Sequence, residues 1–97
     1  MKAEISQLVM IEVQPGKRDE QIKAYNNLLP LVSAEEGCLQ YDLKAVEGDE
    51  NKFVLVERWV SEAALEFHDN TEYMRKADSE NYRFRAKPAE VLRLLCV

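Results

Sequence analysis

An α+β fold with the element order β-α-β-β-α-β is predicted from three observations. Residues 3–13 alternate polar and apolar over a length that suits a strand, residues 17–34 repeat apolar positions at helical spacing, and residues 38–60 hold two further alternating runs joined by a short polar turn. At 97 residues the chain is expected to form one domain over 1–97.

In the first strand Ile5, Gln7, Val9, Ile11 and Val13 share one face, and Glu4, Ser6, Leu8, Met10 and Glu12 share the other. Leu8 and Met10 make that second face apolar at its centre, which marks a central strand or one that meets a partner. Pro15-Gly16 ends it. The helix over 17–34 carries Ile22, Tyr25, Leu28, Leu29 and Val32 on one side. Pro30 lacks a backbone donor and crowds the carbonyl of Asn26, so a kink or break is expected there. Glu35-Glu36-Gly37 closes the helix, with Gly37 free to take positive φ.

The second strand spans 38–46, with Leu39, Tyr41, Leu43 and Ala45 on one face. The third spans 52–60, with Phe53, Leu55, Glu57 and Trp59 on one face and Val54, Val56, Arg58 and Val60 on the other. The polar turn between them makes a hairpin. Ser61 is the expected N-cap of a helix over about 62–69, restarted at Asn70 or Thr71 and running to about residue 80. Residues 81–88 look irregular, and 89–96 form a last strand.

This order is the ferredoxin-like split βαβ arrangement, an antiparallel sheet of strand order 4-1-3-2 with helices on one face. The other sheet face would carry Leu8, Met10, Val54, Val56 and Leu92 or Leu94. A bare apolar face of that kind predicts a homodimer with sheet packed on sheet, a dimeric α+β barrel. Cys38 and Cys96 then lie on opposite edge strands, which disfavours an intrachain disulfide.

Composition removes several function classes. With 18 acidic and 13 basic residues the net charge is −5, so nucleic acid is disfavoured as a partner. Two cysteines and one histidine, far apart in sequence, make no metal-ligand doublet, and no metal is expected. No stretch approaches the ~20 apolar residues that span a bilayer, and the first 13 residues lack a signal-peptide core. A cytoplasmic protein with reduced thiols and no membrane partner is the expectation.

His68 is the one side chain that ordinarily titrates near neutrality. With Ala64 and Leu65 one turn earlier it could enter the layer between helices and sheet and act as a general base; it could equally be a histidine satisfied by a neighbour on its helix face. Glu57 sits among apolar residues on its strand face and needs a partner, either His68 or an arginine such as Arg83 or Arg85. Tyr41 and Trp59 face inward and could stack on an aromatic ligand or serve as plain core. Cys38 reads as a small buried residue.

Two stretches, Glu36-Gly37-Cys38-Leu39-Gln40-Tyr41-Asp42-Leu43 and Phe53 to His68, resemble the antibiotic biosynthesis monooxygenase (ABM) family. Its pattern is E-x-G-C-x-x-Y, then F-x-L-x-E-x-W, then A-L-x-x-H, and the likeness covers essentially the whole chain. The resemblance implies a ferredoxin-like homodimer, a pocket between sheet and helices, and no cofactor. It further implies quinol monooxygenase-like activity on a small aromatic quinol or phenol. His68 and Glu57 then stand as the catalytic pair, with Tyr41, Trp59 and Tyr73 against the substrate. Two departures matter. Many members carry a second histidine where Asn70-Thr71-Glu72-Tyr73 stands here, which puts Tyr73 near that place. No histidine follows His68, which disfavours the haem-degrading branch of the relatives. Three readings remain: a cofactor-independent oxygenase, an isomerase or epimerase using the same acid–base pair with Arg83, Arg85 and Lys87 for a phosphorylated substrate, and a non-catalytic dimeric module that binds a small molecule.

Overall fold

In a computed structural model, which describes residues 4–95 and 97, the strands are β1 (Ile5–Glu12), β2 (Cys38–Ala45), β3 (Lys52–Trp59) and β4 (Glu90–Leu94). The helices are α1 (Arg18–Ser33), α2 (Glu62–Asp69) and α3 (Glu72–Glu80). A short 3₁₀ turn, Asn81–Arg83, follows α3. All strand pairs are antiparallel and the order is β2-β3-β1-β4, the expected 4-1-3-2 arrangement read from the other edge. Cys96, expected to end the last strand, lies outside the described residues.

Register assigns the two sheet faces. The row Arg93–Gln7–Glu57–Tyr41 crosses all four strands on the helix-covered face, with Val91–Val9–Leu55–Leu43 beside it. On the opposite face Leu92 pairs with Leu8, Leu8 with Val56, and Met10 with Val54. The core lies between the first face and the helices and includes Ile11, Val32, Phe53, Trp59 and Leu65.

The helix starts follow from side-chain capping. Ser61 Oγ accepts from the Ala64 N–H at 3.1 Å, and Thr71 Oγ1 accepts from the Met74 N–H at 3.3 Å. A side-chain cap of this kind is worth about 1 kcal/mol. The Thr71 hydroxyl also donates to the His68 carbonyl at 2.9 Å, which ties the end of α2 to the start of α3.

Three local expectations are corrected. First, α1 does not break at Pro30 but continues to Ser33, with the proline in its last turn leaving the Asn26 carbonyl without that N–H partner. Second, Gly37 does not take positive φ; among the described residues only Gly16 and Gly48 do. It is small for another reason: a Cβ there would stand 2.3 Å from the Ala64 Cβ, so the strand entry and α2 could not pack as they do. Third, Leu39 does not share a face with Tyr41. The register shifts between Cys38 and Gln40, which is a bulge, and one extra residue reverses the face. Cys38 therefore packs against the core while Leu39 is 45% exposed.

Candidate functional site

A cavity of about 350 Å³ separates the central strands from α1, α2 and α3. Its apolar walls include Tyr25, Leu28, Leu55, Leu65 and Met74, and its polar groups include Gln7, Gln21, Tyr41, Glu57, His68 and Arg85. Alternation along β1 and β3 places Gln7 and Glu57 opposite each other on the helix-covered face, and both are buried. Residue 68 falls one turn after Leu65 on the inner side of α2, which brings it into the lining of the same cavity; His68 is only 2% exposed.

His68 is held by a carboxylate that the alternation and spacing did not single out. Its Nδ1 lies 2.9 Å from Glu35 Oε2, and both side chains are almost fully buried. The Tyr73 hydroxyl donates to that same Oε2 at 2.5 Å. A carboxylate on Nδ1 favours the tautomer with the proton there, which leaves Nε2 as the ring's acceptor. His68 also lines the cavity. Trp59 fixes the ring from another side, with centroids 4.5 Å apart, and Tyr41 meets it edge-on at 5.6 Å.

Glu57 hydrogen-bonds to neither His68 nor an arginine among the described residues. Its Oε1 accepts from the Trp59 indole N–H at 2.9 Å. Burial pushes its carboxyl above the ordinary range; the indole, nearby His68 and the Gln7 amide oppose that rise. Glu57 thus favours its proton more than a solvated glutamate does. Tyr41, raised by burial and by Glu57, stays a neutral phenol. Its ring stacks on Tyr25 at 5.8 Å, and Tyr25 donates to the Tyr41 carbonyl at 2.7 Å.

Arg85 enters the cavity because residues 84–86 extend the sheet. Val13 and Arg85 form an antiparallel bridge, and the Ala86 N–H bonds to the Glu12 carbonyl at 2.9 Å. The Arg85 Nε donates to Gln21 Oε1 at 3.1 Å. Asp69 and Asp78 also line the cavity, and burial raises both carboxyls.

The five expected site residues therefore fall into two groups. Tyr41, Glu57 and His68 share the cavity lining. Trp59 and Tyr73 do not line it: Trp59 is fully buried behind it, bonded to Glu57 and packed on His68, and Tyr73 stands on the far side of Glu35. Of the three cations considered for a phosphate, only Arg85 lines the cavity. Lys87 lies 3.9 Å from Glu12 and 3.8 Å from Glu90, and Arg83 is exposed. Glu35 was missed although it is the leading glutamate of the E-x-G-C-x-x-Y pattern. A lone buried histidine calls for a buried partner, and that pattern held the signal.

No helix of the described residues is long and apolar enough to cross a membrane. A family model described as antibiotic biosynthesis monooxygenase matches residues 5–79. A Bacillus subtilis protein bearing the name "Putative monooxygenase YcnE" is 37% identical over 83 residues, covering 86% of this chain and 87% of the relative. Among solved structures, PA3566 from Pseudomonas aeruginosa superposes with a TM-score of 0.90 at 29% identity, over 100% of this chain and 97% of that one. A Caulobacter crescentus structure named as a "putative antibiotic biosynthesis monooxygenase" superposes with a TM-score of 0.91 at 28% identity, over 99% of this chain and 92% of that one.

Proposed function

Because this chain belongs to the antibiotic biosynthesis monooxygenase family, we propose that it is a cofactor-independent monooxygenase acting on a small aromatic quinol or phenol. The observation that supports this reading is the buried Glu35–His68 pair beside a cavity of mixed polar and apolar lining, to which it offers an imidazole acceptor. His68 Nε2 takes the phenolic proton, and Glu35 stabilises the imidazolium that results. The substrate anion, held among Tyr41, Leu28 and Leu55, gives up electrons to O₂. One oxygen atom enters the ring and the other leaves as water, so a phenol becomes a quinone. Glu57, whose carboxyl burial raises, lines the same cavity and serves, when protonated, as a donor to an oxygen that gains negative charge.

The reading includes a homodimer. Leu8, Met10, Val54 and Val56 are only half-buried, and Leu92 and Leu94 are exposed, on the sheet face that the helices leave open. A second copy packed sheet to sheet covers this strip.

Against the isomerase alternative, a phosphorylated substrate would meet Glu57, Asp69 and Asp78 as well as Arg85 and Arg93. Oxygen uptake with a panel of hydroxylated aromatics separates the readings. Uptake matched one-to-one by quinone formation, and abolished under nitrogen, supports the oxygenase. Turnover that persists without O₂ supports the isomerase.

A further inference from the structure

Behind Glu35, on the side away from the cavity, a second groove of about 650 Å³ opens between the end of α1, α2 and the start of α3. Its size is that of a small-molecule site, typically about 300–1,000 Å³. Leu31, Val60 and Phe67 form apolar walls, and all three are exposed, Phe67 by 65%. Tyr73 adds a second aromatic face, and Glu35 and Glu36 are its charged lining residues; no lysine or arginine lines it. Glu36 makes no ion pair among the described residues.

Glu35 provides the second observation. Its side chain is 5% exposed and its Oε2 carries both the His68 and Tyr73 bonds. Its Oε1 is the one buried side-chain polar atom among the described residues that has no hydrogen-bond partner. A buried acceptor without a donor costs roughly 1–3 kcal/mol, more when charged, so a ligand that supplies the donor recovers that cost. Two carboxylates, two aromatic faces and no basic residue select a cation with an apolar body.

We propose that this groove is a second binding site, for an apolar organic ammonium ion whose N–H reaches Glu35 Oε1 and whose body lies on Leu31, Val60 and Phe67. The site is separate in space from the front cavity. It communicates with that cavity through Glu35, because an ammonium on Oε1 draws charge away from the oxygen that holds His68.

The test is an NMR titration of the full chain with 2-phenylethylammonium, with 2-phenylethanol as its neutral match. Saturable shifts around Leu31, Val60 and Phe67, together with a shift of the His68 ring nitrogens, are expected. The alcohol should bind at least ten-fold more weakly. Phe67→Ala and Glu36→Gln, both at exposed positions, should weaken ammonium binding at least ten-fold, and Phe67→Ala should leave basal oxygen uptake unchanged. The proposal is overturned by absence of saturation at millimolar probe, by equal binding of the alcohol, or by shifts centred on Tyr41 and Leu28 in the front cavity. It is equally overturned if these groove residues shift with protein concentration alone, which would make the groove a contact between copies.

Discussion

At their centres the two faces of the sheet depart from the ordinary rule for an antiparallel sheet covered on one side. Such sheets usually bury apolar residues and turn polar ones outward. Here the helix-covered face carries Gln7 and Glu57 at its centre, with His68 above them, and the open face carries Leu8, Met10, Val54 and Val56 at the matching positions. Buried polar groups cost stability unless they are satisfied, and exposed apolar ones forgo burial. Both departures are what the proposed site on one side and the proposed dimer contact on the other would require.

The largest effect should come from emptying the polar side. His68→Ala is expected to lower kcat by about 10²–10⁴-fold, the usual contribution of a general base. Oxygen uptake measured alongside circular dichroism separates lost chemistry from lost fold. The apolar side breaks differently: Val56→Asp places a charge at the centre of the open face, and sedimentation velocity should show a dimer becoming a monomer. A variant that stays dimeric would assign that face to solvent. Glu35→Gln keeps the shape of the His68 support but removes its charge, so a roughly 10–100-fold loss in kcat is expected.

The smallest effect is on stability and has a pH signature. Glu57 has its carboxyl raised by burial from an ordinary value near 4.5. A group raised on folding stabilises the fold while protonated, and that contribution fades as pH rises through its folded value. Glu57→Gln should therefore melt at a higher temperature than the parent at pH 7 and at the same temperature near pH 4. Thermal melts at both pH values check the crossover. A variant less stable at pH 7 would mean that the charged form is the better satisfied one.

Much of this organisation was readable from residue order. Period-two alternation in β1 and β3 carries the sheet faces, and the Ser61 and Thr71 caps carry the split between α2 and α3. What escaped is what depends on contacts distant in sequence. The bulge that exposes Leu39 is a property of strand pairing, since alternation alone cannot reveal an extra residue. Gly37 looked like a helix stop, but the residue that needs it small is Ala64, on another element. Glu57 looked in need of a charged partner, and its neighbour two residues on, Trp59, supplies an indole N–H instead. Glu35 lies 33 residues from His68, and nothing in helical or strand period connects them.

The central claim is that Glu35 holds the proton on His68 Nδ1 and leaves Nε2 as the acceptor facing the cavity. The chain has one histidine, so ¹⁵N NMR of histidine-labelled protein reports on that ring alone. The predicted result at pH 8 is the Nδ1–H tautomer, with Nε2 shifting on addition of a phenol and the tautomer balance lost in Glu35→Gln. An Nε2–H tautomer, or an Nε2 resonance indifferent to the phenol, would contradict it.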